Sequence, residues 1–313
     1  MNFMLDDTKR ERLLLEYFVV DVFTDAPLKG NPLAVVMNTC NLKTDEMQAI
    51  AREFNLSETT FIERRPQPVE RSEGVRVRVF TTQEELPFAG HPTLGTASVL
   101  FANAPEIVQN GRVTLALNVG PVPVRFERDN GNGWFGEMTQ PEPQFGAELN
   151  LLDVAPLLGL AAEDLDQKLA PQVVSTGTPF AIVVLRSVEA LQRLKVNQEA
   201  ATAWLRERGA RWFYVLAPVP VQDQSPTQRQ FRARMQFNNG EDPATGSAAG
   251  CAISYLVARG AAPPDVRVHL RQGVEIGRPS DLFLTATKDS ARVRDVRVAG
   301  RTVLVAKGEI LAP

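Results

Sequence analysis

From Val75 to Phe80 the chain alternates valine with arginine, a period of two that marks a strand with one face in a core. Phe231-Arg232-Ala233-Arg234-Met235-Gln236 alternates in the same way. It is one of several patterns that occur twice, in the same order. Gly30-Asn31-Pro32-Leu33-Ala34-Val35-Val36 recurs as Gly177-Thr178-Pro179-Phe180-Ala181-Ile182-Val183, 147 positions on. An amphipathic helix over 44–55 corresponds to one over 197–208, and a strand over 59–63 to one over 211–216. Finally, Gly90-His91-Pro92-Thr93-Leu94-Gly95-Thr96-Ala97 matches Glu241-Asp242-Pro243-Ala244-Thr245-Gly246-Ser247-Ala248, 151 positions on.

The matches predict two pseudo-symmetric lobes, each ordered strand, strand, helix, strand, strand, central helix, and each trailed by strands. The first lobe spans 15–142 and the second 143–313, with a hinge at 141–149 and a flexible lead-in at 1–14. Trailing strands are legible at 113–119, 122–128 and 134–138, then at 266–270, 282–286, 291–298 and 302–307. The last strand is placed to cross back to the first lobe. The two central helices, 92–103 and 243–258, carry no charge on any face and are rich in Ala, Gly, Ser and Thr. A helix apolar all round is buried on all sides. The expected architecture is therefore α+β, with a curled, mainly antiparallel sheet around each central helix and a cleft between the lobes.

Composition narrows the function. With 313 residues, 44% hydrophobic, 23% charged and a formal charge of −3, the chain is neither disordered nor an electrostatic binder of nucleic acid. The first fourteen residues lack the apolar run of a secretory signal. The uncharged run 243–258 is shorter than the roughly 18 residues that span a bilayer, so no membrane segment is expected. Cys40 and Cys251 show no metal or disulfide spacing, which makes the cytoplasm the default compartment. Only His91 and His269 supply imidazoles, so no site of three histidines exists and no metal is expected.

Polar chemistry concentrates just before the two uncharged helices. Asp242-Pro243 reads as an N-cap followed by proline at the first helical position, and His91-Pro92 occupies the matching place. An isolated Asp-Pro is ordinarily only a cap. A titratable residue at both repeated positions favours function, because two helix N-termini facing one another hold free amides toward a small carboxylate. Glu58 stands where a helix hands over to an apolar strand, a place where a carboxylate is commonly just solvated. The repeat puts Gly209 or Ala210 opposite it, so Glu58 is no part of the duplicated scaffold.

Five ordered motifs then resemble one family: Asp21-Val22-Phe23-Thr24, Gly30-Asn31-Pro32-Leu33-Ala34-Val35, Leu56-Ser57-Glu58-Thr59, Gly90-His91-Pro92-Thr93 and Gly240-Glu241-Asp242-Pro243-Ala244-Thr245-Gly246-Ser247-Ala248. From about Tyr17 to the C-terminus the chain is similar to the PhzF family of phenazine-biosynthesis-like proteins, within the diaminopimelate epimerase fold superfamily. The resemblance implies a homodimer, no cofactor, and isomerisation of trans-2,3-dihydro-3-hydroxyanthranilate by a carboxylate acid/base. It puts Glu58 on the catalytic glutamate, His91 and Asp242 on its polar companions, and Gly90 and Ser247 on substrate contacts. Thr93 and Gly246, in the same motifs, complete the candidate substrate-binding set.

A proton-shift isomerase needs one group that takes a proton from carbon and returns it elsewhere, and a carboxylate whose pKa is lifted by an apolar cleft does both. The runner-up reading is an amino-acid epimerase or racemase, and a third is a metabolite-binding protein without turnover. Epimerases of this superfamily use a cysteine from each lobe. Here Cys40 lies outside both turn motifs and Cys251 lies four residues beyond Ser247, which disfavours the thiol pair. Retention of Glu58, His91 and Asp242 is what favours an enzyme over a binder. Three other signals are set aside. Gly131-Asn132-Gly133-Trp134-Phe135-Gly136 fits a dinucleotide-binding motif but has no helix behind it, so it reads as a hairpin turn. Asn55-Leu56-Ser57 is a glycosylation sequon without a secretory context. His269 and the strand arginines Arg76, Arg78, Arg232 and Arg234 read as structural or solvated positions.

Overall fold

The computed structural model describes residues 14–39, 41–127, 131–220, 229–238, 240–290 and 292–312. Cys40 and all of the expected lead-in except Leu14 lie outside them; Leu14 opens the first strand. In chain order the first half contains β1 (Leu14–Val22), β2 (Asn31–Val36), α1 (Thr44–Phe54), β3 (Glu58–Glu63), α2 (Gln67–Glu73), β4 (Val75–Phe80), β5 (Glu85–Leu86), α3 (Gly90–Asn103), β6 (Arg112–Leu117), β7 (Gly120–Glu127) and β8 (Trp134–Thr139). The second half contains β9 (Gln144–Glu148), α4 (Leu151–Leu157), β10 (Gln172–Ser175), β11 (Pro179–Val184), α5 (Val188–Gln192), α6 (Gln198–Glu207), β12 (Trp212–Pro218), β13 (Gln230–Arg234), β14 (Gln236–Phe237), β15 (Gly240–Glu241), α7 (Gly246–Ala258), β16 (Val268–Gln272), β17 (Ser280–Asp289) and β18 (Arg292–Leu311).

The sheet closes on itself in the first half, running β1-β2-β3-β4-β6-β7-β8-β18 and back to β1. The α3 helix lies within this eight-stranded ring, against β1, β2, β3, β6, β7, β8 and β18. Every residue from Gly90 to Leu100 is buried, as an uncharged helix requires. From β18 the sheet continues openly through β17, β16, β13, β12, β11, β10 and β9. There α7 packs on β10, β11, β17 and β18, with Gly246–Val257 all buried. The fold is mixed α+β and mainly antiparallel. The parallel pairings, β2–β3, β4–β6, β11–β12 and β13–β16, fall at equivalent places in the two halves. Each is bridged by a helix, because parallel neighbours need a long crossover.

Three local expectations are corrected. The strands expected at 291–298 and 302–307 are one twenty-residue strand, β18, which pairs in turn with β17, β8 and β1. Ala299-Gly300, between the two expected strands, lies inside it. Gly300 is needed there, since a side chain would strike the Phe23 ring, whose backbone holds φ +66°. The segment 141–149, expected as a hinge, carries β9, an edge strand paired with β10. The strand arginines are not solvated faces. Arg234 is buried and donates to both Glu241 oxygens at 2.9 and 2.7 Å and to main-chain carbonyls of Leu191 and Gln192, while Arg232 pairs with Glu275 and Arg78 with Glu85.

The two uncharged helices meet at their N-termini. A Cβ added to Gly90 would lie 2.6 Å from the Ser247 amide nitrogen and 2.8 Å from Gly246 Cα, far inside contact distance. Glycine is required here by close approach of main chains rather than by dihedral freedom. Gly90→Ala is therefore expected to lower stability by about 1–3 kcal/mol, the usual cost of overpacking, read as a lower denaturant midpoint with an unchanged slope. Gly209→Ala, in open space, provides a comparison for the loss of a glycine at positive φ alone.

Candidate active site

The parallel pairing of β2 with β3 sets Leu33 beside Glu58, so Asn31 and Glu58 open neighbouring strands at one end of the ring. The tip of α3 brings His91 to the same place, and the turn between β15 and α7 brings Asp242. His91 Nε2 lies 3.4 Å from Glu58 Oε2, too poorly aligned for a hydrogen bond. Asn31 Nδ2 donates to Asp242 Oδ1 at 2.8 Å and to the Ala244 carbonyl at 2.9 Å, and it lies 3.2 Å from His91 Nδ1. The Thr245 hydroxyl donates to the other Asp242 oxygen at 2.6 Å. Buried Gln272 donates to the Asp242 carbonyl at 2.7 Å and accepts from the Thr245 amide at 3.1 Å and from the Tyr214 hydroxyl at 2.8 Å.

This network corrects the expected caps. The α7 helix begins at Gly246, so Asp242 is not its N-cap and Pro243 is not its first residue. The Gln272 amide and the Thr245 hydroxyl hold 242–245 as a separate turn, and the Asp242 carboxylate is consumed by Thr245 and Asn31 instead of by helix amides. Likewise α3 begins at Gly90 behind Ala89, which leaves His91 inside the first turn.

Burial sets the protonation states. Glu58 is pushed up to about 8, first by desolvation and then by the Asp242 charge. Desolvation also raises Asp242 to about 6, opposed by its hydrogen bonds from Thr245 and Asn31. His91 is driven down to about 3 by burial, so it stays neutral. Glu58 Oε2, His91 Nε2 and Asn31 Oδ1 are all buried without a hydrogen-bond partner. Buried polar atoms are rarely left so. Three lie at one spot, two of them, Glu58 Oε2 and His91 Nε2, 3.4 Å apart.

Two cavities reach this spot. One of about 580 Å³ is lined by Glu58, Ala89, Asp242, Thr245 and Ser247 at its inner end, and one of about 460 Å³ also reaches Glu58 and Asp242. Gly90 and Gly246 form the junction of the two helices behind them. Thr93 is not brought to the site: it is fully buried, its hydroxyl donates back to the Ala89 carbonyl at 2.7 Å, and it lines neither cavity. Asn31 is the residue that sequence reasoning passed over. Its repeat partner is Thr178, the same asymmetry that singled out Glu58, but it was absorbed into a scaffold motif. Thr245 and Gln272 had no comparable signal, Gln272 lying in an alternating strand.

Other candidates resolve structurally. The Cys251 thiol is buried, pushed up to about 11 by desolvation and set against Thr176 Oγ1 at 3.5 Å, so it is no ready thiolate. His269 Nε2 lies 2.6 Å from Asp281 Oδ1, and its ring stacks on Phe283. β7 and β8 pair as a hairpin across the glycine-rich turn. Among the described residues no group of three or more His, Cys, Asp or Glu side chains is arranged for a metal, and no helix is long and apolar enough to cross a membrane.

The family model for phenazine biosynthesis-like proteins, PhzC-PhzF, matches residues 20–308. A protein of Mesorhizobium japonicum named as an uncharacterized isomerase is 36% identical over 94% of this chain and 98% of its own length. The trans-2,3-dihydro-3-hydroxyanthranilate isomerase of Pseudomonas chlororaphis is 34% identical over 94% of this chain and 99% of its own. A solved phenazine biosynthesis protein of the PhzF family from Bacillus anthracis superposes with a TM-score of 0.81 at 26% identity, covering 96% of this chain and 99% of the other. Fold and relatives together define an isomerase of epimerase-like α+β architecture. The chain belongs to the phenazine biosynthesis-like PhzC-PhzF family.

The raised Glu58 has a cost in stability. The folded state holds this proton more tightly than the unfolded chain does, so folding weakens as pH rises from 4.5 to about 8 and is unaffected below that window. Glu58→Gln removes the effect. Its melting temperature should exceed that of the native protein by roughly 3–6 °C at pH 8.5 and by less than ~1 °C at pH 4.5. Equal gains at both pH values would show that Glu58 is not protonated by burial.

Proposed function

We propose that this protein is a cofactor-independent proton-shift isomerase acting on a small cyclic carboxylate of the dihydro-3-hydroxyanthranilate kind, in the cleft between its two halves. The observation that carries this reading is the protonatable Glu58, its Oε2 buried without a hydrogen-bond partner near the tips of two helices, with neutral His91 and hydrogen-bonded Asp242 around it. The ionised Glu58 carboxylate takes a proton from one ring carbon. The carboxylic acid so formed returns the proton to another carbon on the same face, and the double bonds shift between the two. Free amides at the starts of α3 and α7 meet the substrate carboxylate and the negative charge that develops on the ring. Asp242, held by Asn31 and Thr245, orients an amino or hydroxyl substituent.

A thiol-pair epimerase is opposed by the buried, high-pKa Cys251. The relative acting on trans-2,3-dihydro-3-hydroxyanthranilate supports the choice of substrate class.

Turnover in deuterium oxide with that compound tests the reading. Native protein should incorporate solvent deuterium into product, and Glu58→Gln should lose roughly 10²–10⁴-fold in rate while still binding. Equal label uptake in both proteins would remove Glu58 from the mechanism. Binding without turnover by the native protein would favour a metabolite carrier.

The pH profile gives a second check. Only the ionised form of Glu58 abstracts a proton, and with a pKa of about 8 it is roughly a tenth ionised at pH 7. kcat/KM should rise about tenfold per pH unit below 8 and level above it. Asp242→Asn, by removing the neighbouring charge that raises Glu58, should move that inflection to lower pH.

A further inference from the structure

The larger cavity extends well past the reacting groups, and charge along it is divided. Its less exposed end holds the partly buried Glu58 and Asp242 and the buried Ser247. Its exposed end holds Arg206 and Arg211, the only cationic side chains lining it among the described residues. The smaller cavity has one lining cation, Arg211 again, and the two cavities share Trp212. An anionic substituent beyond the reach of the helix amides therefore has no other cation to meet.

The wall leading to those cations is flat and aromatic. The Arg211 guanidinium lies over the Trp212 ring, 4.2 Å from its centroid. Trp212 stacks on Phe180 at 5.8 Å with an interplanar angle of 29°, and Phe180 lines the same cavity. Stacking keeps the guanidinium plane oriented while its N–H donors stay free to choose a partner. The partner in this structure is Glu84, 2.8 Å away, from the turn between β4 and β5 across the cleft. Both side chains are about half exposed, 46% and 56%, and so exposed a pair is held weakly. No ion pair of Arg206 occurs among the described residues.

Resting on the assignment of Glu58 as proton carrier in this cleft, we propose that Arg211, with Trp212 beneath it and Arg206 at the same end, forms a subsite for a second anionic group on a planar substrate. The preferred substrate is then a ring of that same kind bearing a second carboxylate, a cyclic diacid, with monoacids accepted more weakly. One carboxylate sits at the helix amides beside Glu58, and the other takes Arg211 in exchange for Glu84. An anion in fork geometry on an oriented guanidinium forms a bidentate pair that a neutral substituent cannot form. Glu84 is a resting counter-ion that a diacid displaces and a monoacid leaves in place.

Calorimetric titration with benzoate, isophthalate and 3-(3-carboxyphenyl)propionate tests this, because these probes share a ring and place a second carboxylate at increasing reach. At low salt at least one diacid should bind about tenfold or more tightly than benzoate, and the ratio should shrink at high salt. Arg211→Ser should bring the ratio close to one without changing benzoate affinity. Arg211→Lys should keep part of it, and Glu84→Gln should widen it by freeing the guanidinium. A ratio near one in the native protein, or one that Arg211→Ser leaves unchanged, overturns the subsite. A Glu84→Gln variant that loses the ratio also overturns it, because the ion pair would then be a structural tie across the cleft. The titration needs no turnover. An Arg211-dependent diacid preference in a protein that moves no deuterium keeps the subsite and removes the isomerase assignment; deuterium uptake without that preference does the reverse.

Discussion

The main-chain contact between Gly90 and Gly246 is the constraint on which the site depends. Two uncharged helices, one inside the ring of strands and the other packed on the open part of the sheet, are brought tip to tip so closely that Gly90 has no room for a side chain and Gly246 little. Their first amides have no carbonyl within their own helix to pair with. The acids beside them are strongly desolvated. A dry environment rich in amide dipoles favours charge that develops during reaction while penalising charge that sits there permanently.

The protonation of the two carboxylates follows from that environment. Glu58, without hydrogen-bond donors, rises furthest, to about 8. Asp242, with donors on both oxygens, rises only to about 6 and so remains the ionised member of the pair near neutrality. Its charge then adds to the forces keeping the proton on Glu58. Two carboxylates thus acquire different roles from different partners, as sites that need both an acid and a base commonly arrange. Asn31 and Gln272 are what separate them: one donates to the Asp242 carboxylate, and the other holds the turn that presents it.

β18 supplies the frame. By pairing with β17, β8 and β1 along twenty residues it completes the ring around α3 and carries the sheet on toward α7. The relative position of the two helix tips is therefore fixed through one continuous backbone ladder as well as through their direct contact. Phe23 reinforces it, reaching toward both Gly246 and Gly300 from a strained backbone position.

Much of this was legible in the chain. The duplicated patterns, the two uncharged helices and the alternating strands are local signals, set by periods of 3.6 and 2 that survive into the structure because burial selects for them. Glu58, His91 and Asp242 stood out by motif and by position in the repeat. What the chain by itself did not determine is how each polar side chain spends its hydrogen bonds. Asp242-Pro243 has the local form of a helix start, yet Gln272, thirty residues on, holds it as a turn and delays α7 to Gly246. Thr93 shares a motif with His91, yet a turn back to the Ala89 carbonyl removes it from the cleft. Arg234 alternates like a surface residue, yet Glu241 and three carbonyls bury it. For Asp242 and Arg234 the deciding partners lie on other elements and no local propensity encodes them, whereas Thr93 is taken up by a bond within its own helical turn. Strand and helix identity were the sequence's to determine; protonation, capping and the meeting of the two helix tips belonged to the tertiary structure, because they depend on which groups water can no longer reach.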